Sequence, residues 1–197
     1  MAESKRKNYR TALWIILSVI ALFSYIASYS LGNNTMTSFP VVTGVSFAVA
    51  SATGFLAIPF WRKVTGSENT GINIAANIIF MTGLLAALFY TLNFAFSENA
   101  TRHTEPAVVI DKYIEVRHHS KRVSRNRYVR GEAYNVYYID LTFENGSIKP
   151  FPLKQNQYSK IRVGDTLSVP VEKGLFGIPV IKRNGSSIDV RPSSYRY

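Results

Sequence analysis

Six cations fall between positions 117 and 130: Arg117, Lys121, Arg122, Arg125, Arg127 and Arg130. His118 and His119 stand among them, and no acid does. Guanidinium and ammonium groups at this density attract phosphate, carboxylate or sulfate groups through Coulomb attraction and charge-assisted hydrogen bonds. The same composition also makes a solvated, solubilising loop, because so many like charges repel one another. The sequence alone leaves both readings open, and it predicts a hairpin loop or mobile segment here.

Other chemistry has weaker support. The three histidines are His103, His118 and His119. Adjacent residues on a strand point to opposite faces, so His118 and His119 do not readily share a metal ion. Ser120 beside His119 is adjacent in sequence only, and neither a nucleophile elbow nor a phosphate-binding loop pattern is present. Asp111, Glu115, Asp140, Glu144 and Asp165 fall at strand or turn positions where solvation accounts for them, and nothing selects a catalytic pair. The chain has no cysteine, which excludes disulfides, thiol catalysis and Cys-ligated metals. No catalytic residue, cofactor or metal is predicted.

The elements that must position the cations divide the chain in two. Between Thr11 and Ser97 the only charged residues are Arg62, Lys63 and Glu68. From Ala100 onward there are 17 Lys and Arg against 9 Asp and Glu, a net +8 of the chain's +11. Three apolar runs fill the first half, at about Thr11 to Leu31, Phe39 to Trp61 and Ile72 to Phe96. Crossing ~30 Å of hydrocarbon takes ~20 mostly apolar residues, and each run is that long. Pro40 suits a first helical turn, while Pro59 kinks or stops the second helix near its end. A signal peptide is the rival reading of the first run, with Lys5, Arg6 and Lys7 as its basic region. The apolar stretch exceeds a typical core of ~7–15 residues, so an uncleaved helix is expected.

Charge in the short loops sets the expected orientation. Lys5, Arg6, Lys7 and Arg10 precede the first helix, and Arg62 and Lys63 follow the second. The segment from Gly32 to Ser38 has no charge. Tail and second loop are therefore expected in the cytoplasm, and three crossings then place the C-terminal half outside it. No ionisable residue falls in the middle of a run, which argues against proton relays and ion pathways. Small residues at helical spacing, Ser46, Ala50 and Gly54, then Gly83 and Ala87, form packing stripes. Packing of the three helices on one another is the preferred reading, and oligomerisation is the alternative.

The second half reads as short strands. Val108, Ile110, Ile114 and Val116 share a parity. Ala133 to Glu144 alternates and ends in Asn145-Gly146, a hairpin signal. Ile148 to Leu153 follows, with Pro150 and Pro152 suggesting an edge strand. A helical turn over Asn156 to Lys160 and strands over Thr166 to Val171 and Leu175 to Ile181 come next. Asn184-Gly185 then turns the chain into Ser187 to Val190. The expected organisation is a basic tail (1–10), a three-helix transmembrane region (11–97), a linker (98–105), a soluble β domain (106–191) and a tail (192–197). The fold class is α+β: three transmembrane helices followed by a small, mainly antiparallel β-barrel or sandwich.

This half resembles the soluble domains of a family of bacterial membrane proteins of unknown function. The carriers are Val108-Val109-Ile110-Asp111, the Arg-rich segment, Phe143-Glu144-Asn145-Gly146, and Val163-Gly164-Asp165 before Leu167-Ser168-Val169. The resemblance covers about the last ninety residues. It implies a membrane-tethered β domain, in a bacterial inner membrane, with no chemistry to carry over.

Three functions compete. A membrane-anchored interaction or scaffold protein would present the basic β domain outside the cytoplasm to an anionic lipid, an anionic polymer or another protein. An accessory subunit of a transport or export assembly would dock its helices on partner helices. An enzyme acting on envelope lipid or glycan would need a polar pocket with perturbed acids. The predicted compartment argues against nucleic acid as a partner.

Overall fold

The computed structural model describes residues 2–125, 127–182 and 191–192. It divides into two compact units: Met1–Glu98 with Lys173–Val180, and Asn99–Glu172 with Ile181–Tyr197.

The first unit is helical. Helix α1 is Ala2–Gly32, α2 is Phe39–Thr53, α3 is Ile58–Thr65 and α4 is Thr70–Ala95. The apolar part of α1, Asn8–Gly32, has 25 residues, and α4 has 26. At 1.5 Å per residue each exceeds the ~30 Å of a bilayer core. Their outward side chains are apolar: Ile15, Ile16, Phe23 and Ile79 are all exposed. In water this would be a large apolar surface, and in a bilayer it is the lipid-facing one.

The expected second span is not one helix. α2 and α3 meet at 91°, so two helices are long and apolar enough to cross a membrane, or three if the bent pair counts as one span. The break falls at residues 54–57, a turn before Pro59. Proline has no N–H for the carbonyl four residues back, and its ring collides with that carbonyl, so the helix cannot run through Phe55. Shorter bonds replace the regular ladder, Gly54 N–H to Ser51 O and Leu56 N–H to Thr53 O. The Ser51 and Thr53 hydroxyls also donate to the carbonyls of Phe47 and Val49, a pattern that bends helices. Asn77 of α4 completes the turn. Its Nδ2 donates to Ala50 O (2.9 Å), and its Oδ1 accepts from Trp61 Nε1 (3.0 Å).

Residue pairs along the helices give their directions. Tyr25 of α1 donates to Ile79 O of α4, and its ring lies against Gly83. Gly32 lies against Tyr90. α1 and α4 therefore run parallel. Phe39 of α2 stacks on Tyr90, whereas Gly54 meets Ile74, so α2 runs antiparallel to both. Trp61 of α3 packs on Trp14 and Phe80, and Gly66 lies against Arg10. Among the small residues, Ser46, Ala50 and Ala87 are buried, and Gly54 and Gly83 face side chains of neighbouring helices.

The segment Lys173–Val180 belongs to this unit. A full strand over Leu175 to Ile181 is not formed. The strand is two residues, β5 (Pro179–Val180), and a turn carries Gly177 at φ +76°. Buried Asn93 of α4 holds the turn: its Oδ1 accepts from Phe176 N–H and its Nδ2 donates to Ile178 O, both at 3.1 Å. Phe176 stacks on Phe89 at 5.0 Å, and Met36 N–H donates to Pro179 O. The apolar side chains that read as a strand here serve instead to dock a turn.

The second unit is built on β1 (Glu98–Ser124), β2 (Arg127–Phe143), β3 (Ile148–Leu153) and β4 (Thr166–Lys173), with α5 (Gln155–Tyr158) between β3 and β4. Within this unit the strand order is β3-β2-β1-β4, and β6 (Arg191–Pro192) pairs with β4. The expected barrel or sandwich is therefore corrected to an open antiparallel sheet. Strands of 27 and 17 residues stand beside strands of 6 and 8, and partners so short cannot close a cylinder around them. β3 is an edge strand, where Pro150 and Pro152 cost no ladder bond. Val109, Ile139, Leu141, Phe151, Leu167 and Val169 are buried at alternate positions and form the core. β1 begins at Glu98, so residues 98–105, expected as a linker, are already strand. The turn expected at Asn184-Gly185 and the strand expected over Ser187 to Val190 lie outside the described residues.

Candidate functional site

All six predicted cations lie on one two-stranded ribbon. β1 and β2 pair as a hairpin from Ala107↔Phe143 to Ser124↔Arg127, with register shifts at Val109/Asp111, His118/Ser120 and Arg122/Ser124. β3 covers β2 only as far as Tyr137, opposite Leu153. Beyond that point no side chain over residues 115–125 or 127–135 is buried. The expected loop is in fact regular β structure almost to its tip.

The register shows why the charges permit this. Arg117 faces Tyr134, Lys121 faces Val129, Arg122 faces Tyr128, Arg130 faces Ser120 and Arg127 faces Ser124. No cation stands directly opposite another, which is the arrangement that destabilises a pair of strands. Tyrosine and valine opposite them favour strand geometry. Cross-strand aromatic contacts add to the pairing: Tyr113 stacks on Tyr138 at 5.4 Å, and the His119 ring on Tyr134 at 4.4 Å. Gly131 marks a bulge in which β2 has one extra residue. A Cβ there would lie 2.8 Å from His119 O.

Cross-strand partners share a face and neighbours along a strand alternate. Arg117 and Lys121 accordingly lie on the face of Tyr113 and Tyr138, and Arg122 and Arg130 on the opposite face. The ribbon is basic on both sides.

The six cations differ in freedom. Arg117 is held by Glu115 (2.8 Å) and by Tyr138 Oη (2.8 Å). The bond to Glu115, and secondarily Tyr138, push its pKa further up. Arg122 closes the hairpin tip by donating to the carbonyls of Ser124 and Arg125. Arg130 lies 3.0 Å from His118 Nδ1. Lys121, Arg125 and Arg127 have exposed side chains, with no hydrogen-bond or ion-pair partner among the described residues. These three are the cations left for a ligand. Their freedom depends on register and on the Glu115 partner, which composition does not reveal, and so does the part played by Tyr134 and Tyr138.

At the base of the ribbon, Asp111 and Asp140 are directly opposed. Burial, and then the Asp111 charge, raise the Asp140 carboxyl above its ordinary pKa. The folded chain thus disfavours the ionised form. The contribution of this group to stability is full below the carboxylate range and is lost as pH rises through the raised pKa. Asp140→Asn is expected to stabilise the chain at neutral pH by about 0.2–1 kcal/mol, the scale of a cross-strand pair. The gain should vanish below about pH 4. Thermal unfolding of the detergent-solubilised chain at both pH values measures it, and an Asp140→Asn variant less stable at neutral pH contradicts it.

Among the described residues, no group of three or more His, Asp or Glu could hold a metal ion. His103 bonds to Thr101 O and Glu105, and the backbone bond chiefly raises its pKa. No protein-family model, curated protein or solved structure matches the chain.

Proposed function

We propose that the chain is a membrane-anchored interaction protein whose basic ribbon engages an anionic partner, a polymer, a lipid surface or an acidic protein face, outside the cytoplasm. The observation that carries this reading is the trio Lys121, Arg125 and Arg127, exposed and without a partner among the described residues, on a ribbon with no acid between Arg117 and Arg130. A purely solubilising segment needs neither a regular register nor an aromatic ladder.

In this reading the bent pair α2–α3 is a single crossing. It starts beside Tyr90, near the end of α1, and its far end lies against Arg10 at the start of the apolar stretch. Three crossings in a bacterial inner membrane, with Arg10, Arg62 and Lys63 cytoplasmic, leave the ribbon outside.

The binding claim is tested with the full chain in nanodiscs of neutral lipid and fluorescent polyphosphate as the polyanion probe. Binding should weaken as salt rises. Lys121→Gln/Arg125→Gln/Arg127→Gln should weaken it roughly tenfold, three exposed contacts being worth about 0.2–1 kcal/mol each. Equal affinity of wild type and triple variant would remove the basis of the proposal.

A further inference from the structure

We propose a second site, independent of the ribbon: the notch left by the α2–α3 break binds one acyl chain of an anionic phospholipid, whose phosphate lies on Arg62 and Lys63. α2 lies along α4 from Phe39 beside Tyr90 as far as Gly54 beside Ile74. The 91° turn takes residues 58–65 off that axis. What remains is a cavity of about 320 Å³ lined by Thr53, Leu56, Phe60, Trp61, Phe80 and Met81, among others. Leu56 and Phe60 at its rim are 83% and 50% exposed. The one amide in its wall, Asn77, already has partners in Ala50 O and Trp61 Nε1, so the lining offers an apolar guest no competing demand.

The dimensions suit a chain descending from a headgroup. Asn77 and Met81 lie 7 and 11 residues past the start of α4 at Thr70, or roughly 10–16 Å along its axis. The cations are at the other end. Arg62 and Lys63 follow Trp61 directly, both are exposed, and Arg10 lies against Gly66 at the end of α3. Among the described residues the acid beside them is Glu68, 3.6 Å from Arg62 and almost fully exposed. α3 has apolar Trp61 and Val64 buried on the bundle and its cations outward, the layout of a helix at the membrane interface. Basic pockets beside membrane helices hold anionic headgroups, and the adjoining apolar notch makes this more than a surface charge patch.

Native mass spectrometry of the purified full chain, after exchange into equimolar phosphatidylglycerol and phosphatidylcholine, reads the site. One phosphatidylglycerol should be retained in preference. Arg62→Gln/Lys63→Gln should lower that preference roughly thirtyfold, at about one charge-surface contact per cation. Glu68→Gln should raise it by freeing Arg62. Ala57→Phe, which fills the notch, should reduce retention of both lipids. Lys121→Gln/Arg125→Gln/Arg127→Gln should leave retention unchanged, which separates this site from the ribbon. Equal retention of the two lipids by wild type, or a preference unaffected by Arg62→Gln/Lys63→Gln, overturns the proposal. So does a preference lost with the ribbon substitutions.

Discussion

Gly83→Leu is expected to separate α1 from α4 and to cost the helical unit much of its stability. A Cβ at Gly83 would lie 2.7 Å from the Tyr25 ring, well inside contact distance. The ring cannot simply swing away, because Tyr25 Oη donates to Ile79 O at 2.8 Å. Either the helices part or that bond breaks. Overpacking costs about 1–3 kcal/mol, and a lost interhelical bond in a membrane about 0.6 kcal/mol more. The detergent-solubilised variant should melt several degrees earlier and elute less homogeneously. Tyr25→Ala in the same chain should recover part of the loss by removing the ring that leucine strikes. A Gly83→Leu chain as stable as wild type would show that α1 and α4 do not pack through this contact.

Asn93→Leu should release the turn of Lys173–Val180. The amide is fully buried, and its two bonds at 3.1 Å satisfy the N–H of Phe176 and the carbonyl of Ile178. Leucine has similar volume but leaves the Phe176 N–H without its partner, at about 1–3 kcal/mol for a buried group, while Ile178 O keeps its bond from Gly174 N–H. The stacking of Phe176 on Phe89 is not strong enough to offset this, aromatic pairs being worth about 0.5–1.5 kcal/mol. Chymotrypsin, which cuts after exposed aromatic residues, should nick the variant at Phe176 much faster than wild type. Unchanged cleavage would mean that Asn93 does not hold the turn.

These two sites show what could be read from the sequence and what could not. α1 and α4 were legible because unbroken apolarity over more than 20 residues is the length a bilayer crossing demands and is rare in helices that face water. The break at residues 54–57 was not. The run from Phe39 to Trp61 is apolar throughout, and Pro59 pointed only to its end. The Asn77 amide that satisfies the turn comes from another helix, 27 positions from Ala50. At Leu175 and Phe176 apolarity suggested a strand, whereas a single distant amide selects a docked turn. The Arg-rich segment failed as a loop prediction because repulsion depends on register: Lys121 opposite Val129 and Arg122 opposite Tyr128 can be seen only once the hairpin is aligned. The hairpin and edge-strand signals at Asn145-Gly146, Pro150 and Pro152 were local and correct. Barrel closure is a global property of strand lengths, and the alternation pattern did not contain it.

The ribbon's position outside the cytoplasm is the central claim, and the chain's lack of cysteine permits a direct measurement. Lys121→Cys and Lys63→Cys each introduce a single thiol at an exposed position. In spheroplasts of an expressing bacterium, a membrane-impermeant maleimide should label Lys121→Cys at once and Lys63→Cys only after the membrane is permeabilised. Labelling of Lys63→Cys in intact spheroplasts, with Lys121→Cys protected, would contradict the orientation and with it the extracytoplasmic partner.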